Sequence, residues 1–200
     1  MNVLQQNDIA NFDQTANNAK LWFMRAEDLH TAAIVLREKA TSLNSKPESE
    51  SPVPFEALHY AGIIFQSVML QGFAIEVLLK AYYIAQGKTV SENGEYSIPT
   101  IKHDAHNLPS IADGVGFNLL ATEREILTRL SLVVSSYGRY PITKNWQQNP
   151  MTEDKQGVPH RSHWNNDDHK TAEAVIQRLQ DEIAALSKSV AKVSPEIIEC

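Results

Sequence analysis

The residues best suited to chemistry begin with an arginine that has two tyrosine neighbours. Arg139 follows a glycine in the run SYGRYP, between Tyr137 and Tyr140. An arginine beside aromatic rings suits contact with phosphates or bases. An arginine at the end of a helix can equally cap the last carbonyl groups, where a cation is favoured. Both interpretations of Arg139 stay open at the level of sequence.

The histidines form two further groups. His103 and His106 are three residues apart and could share a metal ion, but only Asp104 offers a third ligand nearby. Two imidazoles make a weak site, so turn and capping roles are favoured here and no metal site is predicted. The second group is spaced irregularly and is predicted to be solvated in loops: His160, His163 and His169.

Glu76 and Lys80 are the last candidates. They lie four residues apart, in the order that favours an ion pair on a helix. At 100° per residue they fall nearly opposite Ser67 and Gln71, whereas a helix with one wet stripe would place all four together. The pair is therefore predicted either to be an ordinary surface ion pair or to point into a polar pocket between helices.

The element that positions this pair is a long apolar helix, predicted over 55–86 and closed by Gly87. The nineteen residues between Glu56 and Glu76 carry no formal charge, so a membrane span has to be considered. Polar residues inside the stretch are costly in lipid, and no basic cluster flanks it. A buried core helix without membrane contact is therefore predicted.

Helical spacing of apolar residues also predicts a first long helix over about 13–43. Asp13 is its expected cap. Residues 1–12 are polar and lack a clear period, so they are expected to be a frayed lead-in. Residues 44–54 contain three prolines and three serines and are predicted to be an exposed connection between two antiparallel helices.

After the central helix, residues 88–102 are predicted to be a loop rather than a short hairpin, because no other segment offers a sheet to join. Asn107 is the expected cap of a short helix. Thr122 and Glu125 form a capping box for the next helix. The segment after that helix, 137–166, is predicted to be irregular.

Composition limits the fold and function further. With 200 residues, 42% of them hydrophobic, one core is expected. The prediction is a single all-α domain over 1–200, an up-and-down bundle of four to five helices that ends with a helix over 167–192. That helix begins at Asp167 or Asp168.

The charge and the motifs narrow the function classes. A net charge of −6 argues against broad nucleic-acid binding but leaves room for a local basic site. The only cysteine is Cys200, so no internal disulfide is possible. No phosphate-binding glycine loop, nucleophile elbow or secretory signal is apparent. No cofactor is expected, and the protein is predicted to be cytoplasmic.

Four segments, taken in order, resemble the HEPN superfamily of small helical bacterial and archaeal domains. They are WFMRAEDLHTAA, FAIEVLLKAYYIAQGK, HDAHNL and SYGRYP. The resemblance covers about 15–145 and places Glu76 and Lys80 at characteristic polar positions. It implies a bundle of four or five helices, commonly a homodimer. Many members are metal-independent ribonucleases of toxin–antitoxin, phage-defence or RNA-processing systems.

The resemblance also implies a catalytic signature, an arginine and a histidine separated by four to six residues. The arginine would hold the phosphate while the histidine moves a proton of the attacking ribose hydroxyl. After Arg139 the corresponding positions hold Lys144, Asn145 and Trp146, so the motif is degenerate. The one formal match, Arg25–His30, lies in the first helix, where the two residues do not share a face well.

The sequence therefore predicts a HEPN-like, dimeric bundle that binds RNA or an antitoxin-like partner protein and has lost or altered the nuclease signature. The residues predicted to make these contacts are Glu76, Lys80, Tyr137, Tyr140 and Lys144. Two alternatives stay open. One is a metal-independent ribonuclease in which His103, His106 or a loop histidine joins Arg139 across the fold or across the dimer. The other is a structural or regulatory dimerisation module.

Overall fold

The structure is a computed structural model, which describes residues 3–44, 54–98, 106–137, 151–153, 159–161 and 164–193. This part of the chain forms six α-helices and two short hairpins. The helices are α1 (Val3–Ala16), α2 (Ala19–Asn44), α3 (Pro54–Ala85), α4 (Leu108–Val115), α5 (Ala121–Leu132) and α6 (Asn166–Val193). The strands are β1 (Ser91–Glu92), β2 (Glu95–Tyr96), β3 (Met151–Glu153) and β4 (Pro159–Arg161). The predicted all-α bundle is confirmed.

Helix α3 is the centre of the bundle, and α2, α4, α5 and α6 all pack on it. Its bounds agree with the prediction, and Gly87 ends it with a left-handed φ of 79°. Within α3, Gly62–Ala85 is the one described stretch long and apolar enough to cross a membrane. Half of its most apolar window is buried inside the bundle.

A glycine sets the distance between α3 and the end of α5. A Cβ on Gly72 would collide with the side chain of Val134, and Leu130 is the next nearest neighbour. Val134 belongs to a π-helical turn, Val133–Tyr137, that continues α5. The close approach of this turn to α3 therefore depends on the missing side chain at position 72.

The N-terminal prediction was wrong, because the expected lead-in is mostly helix α1 and Asp13 does not cap the next helix. Asp13 lies inside α1, and its carboxylate accepts hydrogen bonds from the first hairpin. Helix α2 begins instead after Asn18, whose Oδ1 accepts from the backbone N–H of Lys20 at 3.1 Å. Helix α1 has a polar sequence without regular apolar spacing. Its contacts with the hairpin therefore hold it in place.

The predicted loop after α3 was also wrong, since β1 and β2 form a hairpin. Asn93 and Gly94 occupy the turn with φ of 57° and 79°, the backbone that Asn-Gly favours in a two-residue hairpin turn. The hairpin needs no further strand because it rests on α1. Ile9 of α1 packs against Gly94.

The caps of the later helices are partly as predicted. Asn107 caps α4 by accepting from the N–H of Ser110 at 3.1 Å. The capping box of α5 was placed two residues too late. Glu123 supplies it by accepting from the N–H of Leu120 at 2.7 Å, while the leucine side chain has no atom to reciprocate.

Helix α6 begins at Asn166, one residue before the earlier of the two predicted starts, Asp167 and Asp168. Asn165 caps the helix by accepting from the N–H groups of both aspartates at 2.8 and 2.9 Å. The exposed connection predicted over 44–54 lies mostly outside the described residues. The segment expected to be irregular, 137–166, contains the antiparallel pair of β3 and β4.

Candidate functional site

Glu76 and Lys80 form an ion pair on α3 that is largely enclosed by the bundle. The Nζ of Lys80 lies 2.7 Å from Oε1 of Glu76, and the glutamate side chain is only 8% exposed. The two alternatives predicted for the pair are therefore both partly right. It is an i,i+4 ion pair, but it faces other elements rather than open solvent.

His106 completes this group from the turn just before α4. Its Nδ1 lies 3.0 Å from Oε2 of Glu76, so the two carboxylate oxygens contact one cationic or imidazole group each. The ring also meets Phe73 edge-on at 6.2 Å. The cap at Asn107 fixes the chain directly after the histidine. We call Glu76, Lys80 and His106 the polar cluster.

The polar cluster continues into an aromatic pair. The Nζ of Lys80 lies 5.8 Å from the ring centroid of Trp22, within the range of a cation–π contact. Trp22 stacks on Tyr96 with 6.0 Å between centroids and 21° between planes, and its Nε1 donates to the carbonyl oxygen of Ala16 at 2.7 Å. The tryptophan is thus fixed from both ends.

Tyr96 is carried by the first hairpin, and α1 holds that hairpin in place. Asp13 Oδ1 accepts from Ser91 Oγ at 2.5 Å and from the N–H of Gly94 at 3.0 Å. The hydrogen bond from Ser91 is the main reason that the pKa of Asp13 is lowered. Asn17 adds hydrogen bonds to the backbone of Val90 and Ser91.

The Tyr96 phenol stays protonated at neutral pH. Burial raises its pKa, and the charge of nearby Lys80 opposes that effect only in part. The side chain as a whole is nevertheless 46% exposed. Tyr96 therefore presents a ring surface and a hydroxyl donor at the edge of the polar cluster.

Beside the aromatic pair lies an open cleft of about 480 Å³, which we call the aromatic cleft. Its walls come from α1, the start of α2 and the hairpin, and they are almost entirely apolar. The lining residues are Phe12, Thr15, Ala16, Leu21, Trp22, Arg25 and Tyr96. The volume lies within the range of small-molecule sites, and Arg25 supplies the only formal charge of the lining.

The sequence did not anticipate this cleft. Trp22 falls within the first predicted helix, over about 13–43, and Tyr96 within the loop predicted over 88–102. The Asn93-Gly94 pair was the signal that could have placed Tyr96 at the end of a hairpin. Nothing in the sequence indicates that α1 folds back beside it.

His169 belongs to another group of buried polar residues, which was missed because this histidine was expected in a solvated loop. It lies in α6, is 5% exposed, and its Nδ1 is 3.0 Å from Oε1 of Gln71. Burial is the main reason that its pKa is lowered to about 4. Its helical spacing to Ala172 and Ile176, both on the buried stripe, was the available signal.

The surroundings of His169 link three helices. Ser67 on α3 donates to the carbonyl oxygen of Ala33 on α2 at 2.7 Å, so both polar residues on the opposite face of α3 from Glu76 have partners. His30 on α2 has its pKa lowered, chiefly by burial. Its Nε2 is buried without a hydrogen-bond partner.

Several predicted site residues lie outside the described part of the chain: Arg139, His103, Tyr140, Lys144, and the side chain of Tyr137. The convergence of Arg139 with a histidine is therefore untested. Arg25 and His30, the formal motif match, are placed apart. Arg25 lines the aromatic cleft, whereas His30 lies near the charges of Glu173 and Arg37.

Comparison of the chain with family models, with curated proteins and with solved structures gave no match. The HEPN resemblance stays a prediction from the sequence. Among the described residues, no group of three or more His, Cys, Asp or Glu side chains is arranged to hold a metal ion. What the arrangement offers chemically is a buried carboxylate that orients an imidazole and an ammonium group, next to exposed aromatic rings.

Proposed function

We propose that the protein is a HEPN-like helical domain that binds RNA at the polar cluster. The observation that carries this proposal is the direct contact of Glu76, Lys80 and His106. Two of these residues stand at the polar positions of the resemblance, and the third lies in the turn that follows. Thirty residues of chain separate Glu76 from His106.

The three residues have different roles in this proposal. Lys80 provides N–H donors for phosphate oxygens, and the His106 ring, whose Nδ1 bonds to Glu76, meets the RNA through its Nε2 side; the two side chains are 16% and 28% exposed. Glu76 is too buried to approach RNA, and a carboxylate would repel phosphate. Its role is to hold the other two side chains at a fixed separation, which lowers the entropy lost when RNA binds.

The overall charge of −6 restricts how RNA is held. A small site with one or two phosphate contacts should bind weakly, and its affinity should fall only gently with salt. For single strands the slope of log K against log salt is roughly −0.7 per phosphate contact. We therefore expect a slope of about −0.7 to −1.4.

The test is titration of a labelled single-stranded RNA pool of mixed sequence with purified protein in EDTA. We expect Lys80→Gln and His106→Ala each to weaken binding roughly fivefold, the effect of about 1 kcal/mol per lost contact. Lys188→Gln is the matched control, since it removes one positive charge from an exposed position on α6. Equal affinity of all four proteins, each shown to be folded by circular dichroism, would reject the polar cluster as the RNA site.

Metal-independent ribonuclease activity is the second candidate, favoured by the contact of His106 with Glu76. A carboxylate bonded to one imidazole nitrogen fixes the ring and its tautomer, as in general-base sites. The same samples test it, because cleavage in EDTA that His106→Ala abolishes would establish a nuclease. We expect binding without cleavage. The homodimer, the antitoxin-like partner and the cytoplasmic location stay predictions from the sequence.

A further inference from the structure

The aromatic cleft groups several large apolar side chains that are exposed to solvent. Phe12 and Tyr96 are each 46% exposed and Leu21 is 44% exposed, although all three line one concave surface. Scattered exposed apolar residues are ordinary, but a grouped set marks an interaction site. This group lies directly beside Trp22, which contacts Lys80 of the polar cluster.

The walls of the cleft are fixed before any ligand arrives. Trp22 is held by its hydrogen bond to Ala16 and by its stack on Tyr96. Tyr96 is held by a hairpin that Asp13 ties to α1. A ring that is already ordered loses little conformational freedom on stacking with a planar ligand.

We propose that the aromatic cleft binds one unpaired nucleobase by stacking, while Arg25 contacts the adjoining phosphate. This inference rests on the proposed RNA binding and names the part of the RNA that the cleft holds. The occupant follows from the lining, which combines three aromatic rings with a single cation, the pairing used by sites for single strands. An apolar peptide would leave the Arg25 guanidinium without an anionic partner from the ligand.

The same lining residues indicate that the cleft does not distinguish one base from another. Its polar side chains are Thr15, Arg25 and the Tyr96 hydroxyl, too few to match the hydrogen-bonding edges of one base against another. The cleft is therefore tolerant of base identity. It also accepts DNA as well as RNA, because stacking uses the face of the base and leaves the ribose 2′-hydroxyl unread.

The experiment compares labelled oligonucleotides of equal length that differ either in their sugars or in the presence of bases. Single-stranded RNA and single-stranded DNA of mixed sequence are titrated against a fully abasic strand with the same phosphates. We expect the two natural strands to bind alike and the abasic strand to bind roughly five- to 150-fold more weakly, the loss of one stacked base. Tyr96→Leu keeps the apolar bulk and, compared with Tyr96→Phe, which removes only the hydroxyl beside Lys80, should weaken only the natural strands. Leu120→Ala, at an exposed apolar residue on α5's cap, should change nothing.

The outcomes separate this inference from the proposed function. Binding of the abasic strand with the same affinity as RNA would overturn the cleft as a base site and leave RNA binding at the polar cluster intact. Failure of every strand to bind would reject both. A shift in oligomeric state on Tyr96→Leu, seen by sedimentation with unchanged affinity for RNA, would instead assign the cleft to a second copy of the chain.

Discussion

The buried His169 makes the stability of the bundle depend on pH in a calculable way. Its pKa falls from the ordinary 6.5 to about 4, mainly because burial disfavours the charged ring. The charge of Arg37 acts in the same direction, whereas Glu173 and Asp168 oppose it. In the unfolded chain the imidazole regains its ordinary pKa and binds a proton more readily.

The direction in which stability changes with pH follows from the difference between the folded and unfolded pKa values of His169. Above pH 6.5 the histidine is neutral in both states and costs nothing. Below pH 6.5 the unfolded state takes up the proton first, so stability falls until the pH reaches about 4. At pH 5 the loss is at most about 2 kcal/mol, since each pH unit between the two pKa values corresponds to about 1.4 kcal/mol. His30 adds to the loss, because its pKa is also lowered.

The assay is urea unfolding of the wild type and of His169→Gln at pH 7.5 and pH 5.0. Glutamine stays neutral at both values, so the variant should lose less stability between them, by up to about 2 kcal/mol. An equal loss in both proteins would refute the argument. If the variant does not fold, an NMR titration of the wild-type His169 ring decides the question, because a pKa near 6.5 would be incompatible with the burial described.

Two further predictions concern the packing of α3 and the support of the aromatic cleft. Gly72→Ala should destabilise the protein by roughly 1–3 kcal/mol in urea unfolding, because its Cβ would displace Val134; no change would mean that the π-helical turn adjusts freely. Asp13→Ala should speed hydrogen exchange of the Gly94 amide, which loses its acceptor. Asp8→Ala, an exposed acid in the same helix, is its control, and equal exchange in both variants would show that Asp13 does not hold the hairpin.

Local signals in the sequence were enough for most of the helices. Apolar residues at helical spacing predicted α2, α3 and α6 to within a few residues, with the main error at the start of α2, because each buries a long stripe against the bundle. Asn107 capped α4 as predicted, since a cap depends on atoms three residues apart. The capping box of α5 was predicted two residues too late, at Thr122 and Glu125. Glu123, which makes the observed bond, also approaches Arg178 of α6 at 3.3 Å, a contact that local spacing does not contain.

The angular pattern along α3 also survived. It separated Ser67 and Gln71 from Glu76 and Lys80, and the two pairs do contact different residues. Ser67 and Gln71 bond to Ala33 and His169, whereas Glu76 contacts His106 and Lys80 contacts Trp22. Helical geometry alone determines which side of a rod each residue occupies. It does not determine what stands opposite, and so the same pattern could not distinguish an exposed ion pair from a cluster with His106.

The sequence by itself determined the all-α class, the long apolar helix α3 and the opposed polar faces of that helix, because these depend on residues within a few turns of one another. Only the tertiary structure decided the site. Helix α1 has no apolar period of its own and is held by hydrogen bonds that Asp13 accepts from a hairpin 78 and 81 residues away in the chain. The aromatic cleft exists because that long-range contact brings Tyr96 against Trp22, and no local pattern encodes the pairing of two distant segments.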